Sequence, residues 1–352
     1  MNEIIFVTVS ALIKSIAVVL CIVLLSAAVS VYIERKVSAF IQNRIGPNRV
    51  GPFGTLQPIV DVIKLLFKED VVPAGADYQF HRLGPVLSLG VAIVVYAVIP
   101  FSSPFMMNIA GVDRLIQFGI APNINIGILY ILAMTSVGVY GITLAGWSSN
   151  SKYSLLGGLR SSAQMISYEL SMGLAIVGIL MITGSFSMND IVMHQQGWKI
   201  NLLLQPLGFI IFLVSAFAET NRAPFDLPEA EPELVGGYNT EYTGMKFGMF
   251  FLAEYSNMAV SSAMICTLYF GGWMLPFSPS LIGLHENTLA LSLVQFAWLL
   301  LKVIFCIFFF VWVRWSIPRF RYDQLMRLGW KVLLPLAIFN VVATAIVMYI
   351  IK

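Results

Sequence analysis

The sequence predicts an all-α polytopic membrane protein with about eight transmembrane helices and an interfacial amphipathic helix in the first cytoplasmic loop. Composition is the first observation: 58% of the residues are hydrophobic and only 11% are charged. A soluble domain carries about 25% charged residues, so this chain cannot cover a water-exposed surface. The second observation is a series of long apolar segments, each near the roughly 20 residues that a helix needs to cross a bilayer.

The apolar segments predict eight spans. Neither an internal repeat nor a low-complexity linker separates them in the sequence, so we expect a single integral membrane domain over residues 1–352. The spans run roughly over 10–33, 83–101, 124–147, 162–183, 202–218, 247–275, 289–313 and 330–351.

The distribution of Lys and Arg predicts the orientation. The loops after the odd-numbered spans hold 16 of the 21 basic residues. Basic loops stay on the cytoplasmic side of a bacterial membrane, or on the matrix side in an organelle. For a bacterial cell inner membrane, both termini are then predicted to be periplasmic.

The first basic loop contains an amphipathic segment over 55–68. Its polar residues recur on one helical face at Gln57, Asp61, Lys64 and Lys68. Its apolar residues recur on the other face, at Leu56, Ile59, Val60, Ile63, Leu66 and Phe67. The segment is too short to span a bilayer comfortably, so we predict a helix in the interface plane. A water-exposed helix packed on a partner would give the same pattern.

Three ionisable residues lie inside predicted spans, where charge is costly and usually functional or paired. They are Glu169, Glu254 and Lys302, and Glu219 ends the fifth span. The three acids lie toward the basic side of their helices, so they could share one region, and Lys302 could pair with one of them. Static ion pairs that hold helices together are the alternative.

The loop over 219–241 is strongly acidic. Only Arg222 opposes its carboxylates, which are Glu219, Asp226, Glu229, Glu231, Glu233 and Glu241. Prolines at every fourth position disfavour a regular helix, and interleaved apolar residues suggest burial. Buried, crowded carboxylates raise one another's pKa values and titrate as a coupled set. The loop therefore predicts proton handling or gating by a partner, with a solvated acidic loop as the alternative.

The seventh span is followed by four basic residues interleaved with aromatic ones, namely Arg314, Arg319, Arg321 and Arg327. This pattern suits anionic lipid headgroups or an acidic partner surface, although topology alone would also produce it. Redox ligands are missing from the sequence pattern. The three cysteines lie in apolar runs and are expected to pack, and no dinucleotide fingerprint or P-loop occurs.

These segments together resemble the H subunit of bacterial respiratory complex I, which is equivalent to mitochondrial subunit 1. The resemblance covers nearly the whole chain. It is carried by the segments Glu34–Lys36, Ile45–Pro52, Ala218–Glu229, Glu241–Phe247 and Arg314–Asp323.

The resemblance implies a membrane-arm subunit of a proton-translocating NADH:quinone oxidoreductase. It implies that the chain anchors the peripheral arm, forms much of the quinone-access chamber and couples quinone reduction to proton translocation. The chain itself would bind no cofactor or metal and would supply no catalytic residue. Quinone would be the substrate, and FMN and iron–sulfur clusters would lie in partner subunits. The partners would be other membrane-arm subunits, the peripheral subunits of the quinone site, and the lipid bilayer.

By position, the resemblance implies two sets of site residues. The quinone-chamber set is Glu34, Arg35, Asp61, Lys64, Arg222 and Asp226. The proton-path set is Glu169, Glu219, Glu229, Glu231, Glu233 and Glu254.

Three other functions fit the same sequence features. The first is the equivalent anchor subunit of a related membrane-bound hydrogenase or dehydrogenase. The second is a free-standing proton or cation transporter, which the buried acids would also serve. The third is a purely structural anchor that quinone never contacts.

Overall fold

The computed structural model describes residues 13–14, 16–17, 24–109, 112–197, 199–226, 235–277 and 288–351. Over these residues the regular structure is helical apart from a two-stranded hairpin, as expected for an all-α polytopic membrane protein. The helices are α1 (Leu24–Ile41), α2 (Gln57–Phe67), α3 (Tyr78–Val94), α4 (Gly127–Ser148), α5 (Lys152–Thr183), α6 (Met188–His194), α7 (Asn201–Leu204), α8 (Pro206–Glu219), α9 (Gly244–Tyr269), α10 (Leu289–Ser316), α11 (Tyr322–Arg327) and α12 (Leu334–Ile351). Short 3-10 turns cover Pro52–Gly54, Val95–Val98 and Gly237–Asn239, and a π-helical turn over Leu328–Leu333 joins α11 to α12.

Five helical segments in the described part of the chain are long and apolar enough to cross a membrane. They are Tyr78–Val98, Gly127–Ser148, Lys152–Thr183, Leu289–Ser316 and Tyr322–Ile350. These segments coincide with the predicted spans 83–101, 124–147, 162–183, 289–313 and 330–351. The protein is therefore membrane-embedded.

The other three predicted spans differ from the observed helices in length. The span over 10–33 lies only partly within the described residues, and α1 continues past it to Ile41. The span over 202–218 is the 14-residue helix α8. The span over 247–275 is α9, which ends early at Tyr269. Gly271 and Gly272 follow with positive φ angles of 69° and 51°, the left-handed conformation that ends helices.

Helix α5 begins at Lys152, ten residues before the predicted boundary. The prediction followed the apolar run, whereas the helix continues beyond it through residues 152–161. This extension carries Lys152 and Arg160, so the first turns of α5 lie on the basic side of the membrane. The longer helix brings Gly157 against the backbone of Gly237 near the end of the acidic loop, where a Cβ on Gly157 would lie 2.6 Å from Gly237 Cα.

A short hairpin lies between α3 and α4, where the sequence predicted only a loop. Strand β1 (Phe105–Ile109) pairs antiparallel with β2 (Val112–Ile116), and Phe105 lies opposite Ile116. The alternating pattern of these strands is too short to stand out between two apolar spans. The hairpin follows the carboxyl end of α3, on the side of the molecule opposite the basic loops.

Helix α2 confirms the amphipathic helix that the sequence predicted. It starts with Pro58 in its first turn, a position where the missing N–H costs nothing. Along one face, Ile59, Ile63, Leu66 and Phe67 are exposed. These side chains are available to lipid or to another apolar surface, and the location of α2 in the membrane interface stays a prediction.

The long helices pack through small residues. At the contact between α3 and α4, a Cβ on Gly141 would lie 2.4 Å from Ser88 Oγ and 3.1 Å from Gly84 O. At the contact between α4 and α5, a Cβ on Gly146 would lie 3.1 Å from Gly158 Cα. Within lipid, helix association depends on such close backbone approach, because lipid tails are as apolar as the helix faces.

The cysteines that the structure describes act as packing residues, as predicted. Cys266 and Cys306 are buried free thiols whose Sγ atoms lie 3.7 Å apart, between α9 and α10. The third predicted packing residue, Cys21, lies outside the described residues.

Candidate functional site

The centre of the site is a set of four charged side chains, Glu34, Arg222, Glu254 and Arg314, here called the Arg222 cluster. Arg222 forms ion pairs with Glu34 and with Glu254, whose Oε1 lies 2.6 Å from Arg222 Nε. Arg314 Nη1 lies 2.6 Å from Glu34 Oε1, so Glu34 is shared by two guanidinium groups. The Arg222 guanidinium also lies 4.1 Å from the ring centroid of Tyr255. The cluster thereby joins α1, the acidic loop, α9 and α10.

Burial makes the pairing within this cluster strong. The Arg222 side chain is 2% exposed and the Glu34 side chain 8%. Burial by itself disfavours ionisation of Glu34, but the Arg222 and Arg314 charges outweigh it and hold the pKa of that carboxyl below its ordinary value. Burial likewise disfavours the Arg222 cation, yet Glu254 and Glu34 raise its pKa well above the usual value. Both groups therefore stay charged.

The start of the acidic loop holds Arg222 in place. Gln164, buried on α5, donates from Nε2 to the carbonyl oxygens of Ala218 and Phe225, each at 2.8 Å. Asn221 adopts a left-handed φ of 50°, a conformation that asparagine tolerates better than most residues. The chain therefore reverses directly after α8, with the Arg222 guanidinium in the protein interior.

The predicted first-loop residues form a second, more exposed group. Arg35 Nη1 lies 2.6 Å from Asp61 Oδ2, with side-chain exposures of 44% and 29%. Gln57 Nε2 donates to Asp61 Oδ1 at 2.9 Å, one turn earlier on α2. Lys64 is exposed on the same helix. Because Arg35 neighbours Glu34 on α1, this pair connects α2 to the helix that carries the Arg222 cluster.

Asp226 forms an ion pair with the basic segment that follows the seventh span. Its side chain is 3% exposed and pairs with Arg319, whose Nη2 lies 3.1 Å from Asp226 Oδ2. Arg314 is likewise paired inside the chain, with Glu34. Arg314 and Arg319 therefore have carboxylate partners within the chain, and contact of this segment with lipid headgroups or an acidic partner stays a prediction.

A second group of acids comprises Glu219 and Glu169. Glu219 ends α8, is hydrogen-bonded by the Thr135 hydroxyl and lies within electrostatic range of Glu169 on α5. Glu169 accepts a hydrogen bond from Ser136 Oγ on α4. The structure thus brings these two predicted proton-path residues together, with a neighbouring hydroxyl group for each.

A cavity of about 50 Å³ lies between the Arg222 cluster and the Glu219 group. Glu219, Glu254, Asn221 and Asn257 are among the residues that line it. A water molecule needs only about 10–15 Å³ of such space and two to four polar partners. The cavity therefore has room for water that would connect Glu254 with Glu219.

Three predicted proton-path residues, Glu229, Glu231 and Glu233, lie outside the described residues. Their predicted burial and crowding therefore stay predictions. Glu241, at the far end of the acidic loop, is half-buried.

Lys302 does not pair with an acid within the described part of the chain, although the sequence allowed such a pair. Its Nζ donates instead to three backbone carbonyls, Phe270 O at 2.8 Å, Gly272 O at 2.7 Å and Met274 O at 3.3 Å. These carbonyls follow the carboxyl end of α9, where a helix leaves its last carbonyls unpaired and favours a cation. Lys302 thus caps α9 from α10, beside a cavity of about 1030 Å³ that it also lines.

The sequence argument missed three contributors to the site. Arg314 was noted only as part of a basic segment, and Tyr255 and Ser136 were not singled out. For Arg314, the available signal was indirect: a carboxylate such as Glu34, close to a span, is costly without a cation, so a nearby arginine was to be expected. For Tyr255, the signal was its position directly after Glu254. Ser136 lies in an apolar helix and carried no signal, because serine commonly bonds its own helix backbone.

Comparison with known proteins identifies the family of the chain. The model of the NADH dehydrogenase family matches residues 13–345. NADH-quinone oxidoreductase subunit 8 from Rhodothermus marinus is 55% identical over 92% of this chain and 93% of its own length. The NADH-quinone oxidoreductase H subunit from Salinibacter ruber is 54% identical over 92% of both chains. The H subunit from Ehrlichia ruminantium is 50% identical over 93% of this chain and 87% of its own length. The chain therefore belongs to the NADH dehydrogenase family, as the membrane-embedded H subunit of an NADH-quinone oxidoreductase.

Proposed function

We propose that this subunit forms much of the quinone-access chamber of a proton-pumping NADH:quinone oxidoreductase and couples quinone reduction to proton translocation. The observation that carries the proposal is the buried Arg222 cluster, with a second acid group directly behind it. The names of the relatives support a role in quinone reduction by NADH.

The chamber is proposed to be bounded by the Arg222 cluster, the Arg35–Asp61 pair and Asp226. With its four members ionised, the Arg222 cluster carries two positive and two negative charges. The protonation of the carboxylates in this set depends on any further charge placed beside it. Negative charge on a reduced quinone favours proton uptake by nearby carboxylates, because like charges disfavour the ionised form.

The proton path is proposed to lead from Glu254 through the 50 Å³ cavity to Glu219 and Glu169. Proton transfer needs heavy atoms within hydrogen-bond reach or joined by one water. The hydroxyls of Thr135 and Ser136 contact Glu219 and Glu169 and can both donate and accept. The proposed path includes Glu229, Glu231 and Glu233 on the side of the acidic loop.

The proposal includes the location and the partners of the subunit. The chain forms one integral membrane domain in a bacterial inner membrane, with the basic loops cytoplasmic and both termini periplasmic. Its cytoplasmic face, including α2, anchors the peripheral arm, whose subunits hold FMN and the iron–sulfur clusters. This chain binds quinone and lipid, and the electrons reach the quinone from those partner subunits.

Replacement of Glu219 by Gln tests the proton path. The amide has nearly the same shape but cannot lose a proton, so quinone-linked turnover should fall by about tenfold or more. NADH oxidation by an artificial acceptor at the peripheral arm should be unchanged. The measurements are both rates and the proton-to-electron ratio of the purified complex in proteoliposomes.

Asp323→Asn is the matched control, because Asp323 is an exposed carboxylate on α11 that belongs to neither acid group. It should retain wild-type turnover and proton-to-electron ratio. Normal values of both in Glu219→Gln would refute the proposed path. The proteins that co-purify in mild detergent, identified by mass spectrometry, distinguish this complex from a hydrogenase-type assembly.

A further inference from the structure

Three segments meet where α9 begins, and they are here called the α9 junction. They are Glu69–Val71 at the end of the first basic loop, Tyr242–Lys246 at the start of α9, and His81 in the first turns of α3. Val71 N donates to Thr243 Oγ1 at 2.9 Å, and Lys246 Nζ lies 2.9 Å from Asp70 Oδ2.

The backbones in this junction approach closely. Thr243 Oγ1 also lies 3.3 Å from Glu69 O. Gly244 has a φ of +56°, and a Cβ there would lie 3.1 Å from Lys68 O. The first loop and the start of α9 therefore form one tight contact.

His81 completes the junction through its ring. The side chain is fully buried, and the ring stacks on Tyr242 with centroids 4.0 Å apart and planes 10° apart. Neither ring nitrogen forms a hydrogen bond of ordinary geometry to the described residues, although the backbone of Glu241 lies beside the ring. Buried ring nitrogens normally have partners. The stack on Tyr242 is therefore the best-defined contact of the His81 ring.

Tyr242 links the His81 ring to the end of the acidic loop. Its amide donates to Asn239 O at 3.1 Å, and its ring meets Phe250 edge-on at 5.0 Å. Burial raises the pKa of Tyr242 to about 12, so the phenol stays neutral near Ser148, whose Oγ lies 3.5 Å from the hydroxyl. Tyr242 directly follows Glu241, and the stack therefore fixes the carboxyl end of the loop.

We propose that His81 is a positioning residue whose ring, stacked on Tyr242, couples the first basic loop to the acidic loop and α9. The inference rests on the proposed function, because these two loops carry the proposed chamber and proton path. Glu254 lies ten residues beyond Gly244 on α9, about 15 Å along the helix. Movement of the junction is thereby transmitted to the Arg222 cluster.

The test compares His81→Leu with His81→Phe in the purified complex. Leucine fills similar space without a flat ring, whereas phenylalanine keeps the stack and removes both nitrogens. His81→Leu should lower quinone-linked turnover by about 2- to 12-fold, the change that the loss of one aromatic pair gives. His81→Phe should restore wild-type turnover, and the artificial-acceptor rate should be unchanged in both variants.

A spin label gives a readout that does not depend on turnover. Thr240 is exposed, so a label on Thr240→Cys reports the mobility of the loop end. Mobility should rise in His81→Leu and stay low in His81→Phe. If this readout behaves as expected while Glu219→Gln proves normal, the coupling stands and the proposed proton path fails.

Two results would overturn the inference. One is equal impairment of His81→Phe and His81→Leu, which would assign the role to the ring nitrogens. The other is an immobile label and normal turnover in His81→Leu. If His81→Leu prevents assembly of the complex, Tyr242→Leu and Tyr242→Phe give the same comparison from the other ring, with the same two outcomes.

Discussion

Replacement of Arg222 by Gln should leave two buried carboxylates without the cation they share. Arg222 is 2% exposed, Glu34 is 8% exposed and Glu254 is 15% exposed, so water cannot replace the lost charge. Removal of one partner from a buried ion pair costs about 3–5 kcal/mol. Glu34 keeps Arg314 after the change. Most of the loss therefore falls on Glu254, and the lower half of that range is expected.

Arg35→Gln provides the control, because it also removes one arginine from a carboxylate. Arg35 is 44% exposed and Asp61 is 29% exposed, and such pairs contribute only about 0–1 kcal/mol. The assay is the temperature at which this subunit is lost from the purified complex, followed on native gels. At about 2–4 °C per kcal/mol, Arg222→Gln should lower the midpoint by roughly 6–16 °C and Arg35→Gln by a few degrees at most.

A triple variant with Glu34, Arg222 and Glu254 all changed to Gln separates lost pairing from general damage. It buries no unpaired charge from Glu34 or Glu254, so it should recover part of the midpoint lost in Arg222→Gln. The reasoning is refuted if Arg222→Gln lowers the midpoint no more than Arg35→Gln does. It is refuted equally if the triple variant is less stable than Arg222→Gln.

Three further predictions use the same assay. Lys302→Met should destabilise the subunit by about 2 kcal/mol or more, because three carbonyls after α9 lose their donor; a stability equal to wild type would contradict the capping role. Gly141→Ala should lower the stability of the subunit by about 1–3 kcal/mol, because its Cβ would lie 2.9 Å from Ser88 N. Gly90→Ala is the control, since a Cβ there meets open space and should leave stability unchanged. Equal effects of the two changes would contradict the close helix contact. Glu34→Gln should destabilise above about pH 5, where the carboxyl is charged in both folded and unfolded chains. The difference from wild type should shrink as pH falls through the lowered folded pKa of Glu34, and a constant difference would contradict the pairing.

The membrane fold was predictable because hydropathy and charge bias act over long stretches of sequence. Lipid forces apolar segments into helices, since backbone groups there find no water. Boundaries that depend on single residues were less predictable. Helix α9 ends at a Gly-Gly pair inside an apolar run, and Lys302 on another helix stabilises that end. Neither effect is visible in the average hydropathy.

The candidate site was predictable in membership but not in its pairing. Glu34, Arg222 and Glu254 could be named from motifs and from the cost of buried charge. That Arg222 lies between the two acids depends on the packing of α1, α9 and the acidic loop. Lys302 shows the limit of sequence analysis, because its charge allowed a carboxylate partner, whereas the turn after α9 places backbone carbonyl groups within hydrogen-bond distance.

The sequence separation of the ion pairs in the Arg222 cluster has a consequence for biosynthesis. Glu34 and Arg222 are 188 residues apart, and Glu34 and Arg314 are 280 apart. At about 5–20 residues per second, the ribosome needs roughly 10–40 s to supply Arg222 after Glu34 has been made. For that time the end of α1 carries a carboxylate whose partners do not yet exist. The nascent first helix must therefore keep Glu34 at the water-facing edge of the bilayer until α8 has been inserted.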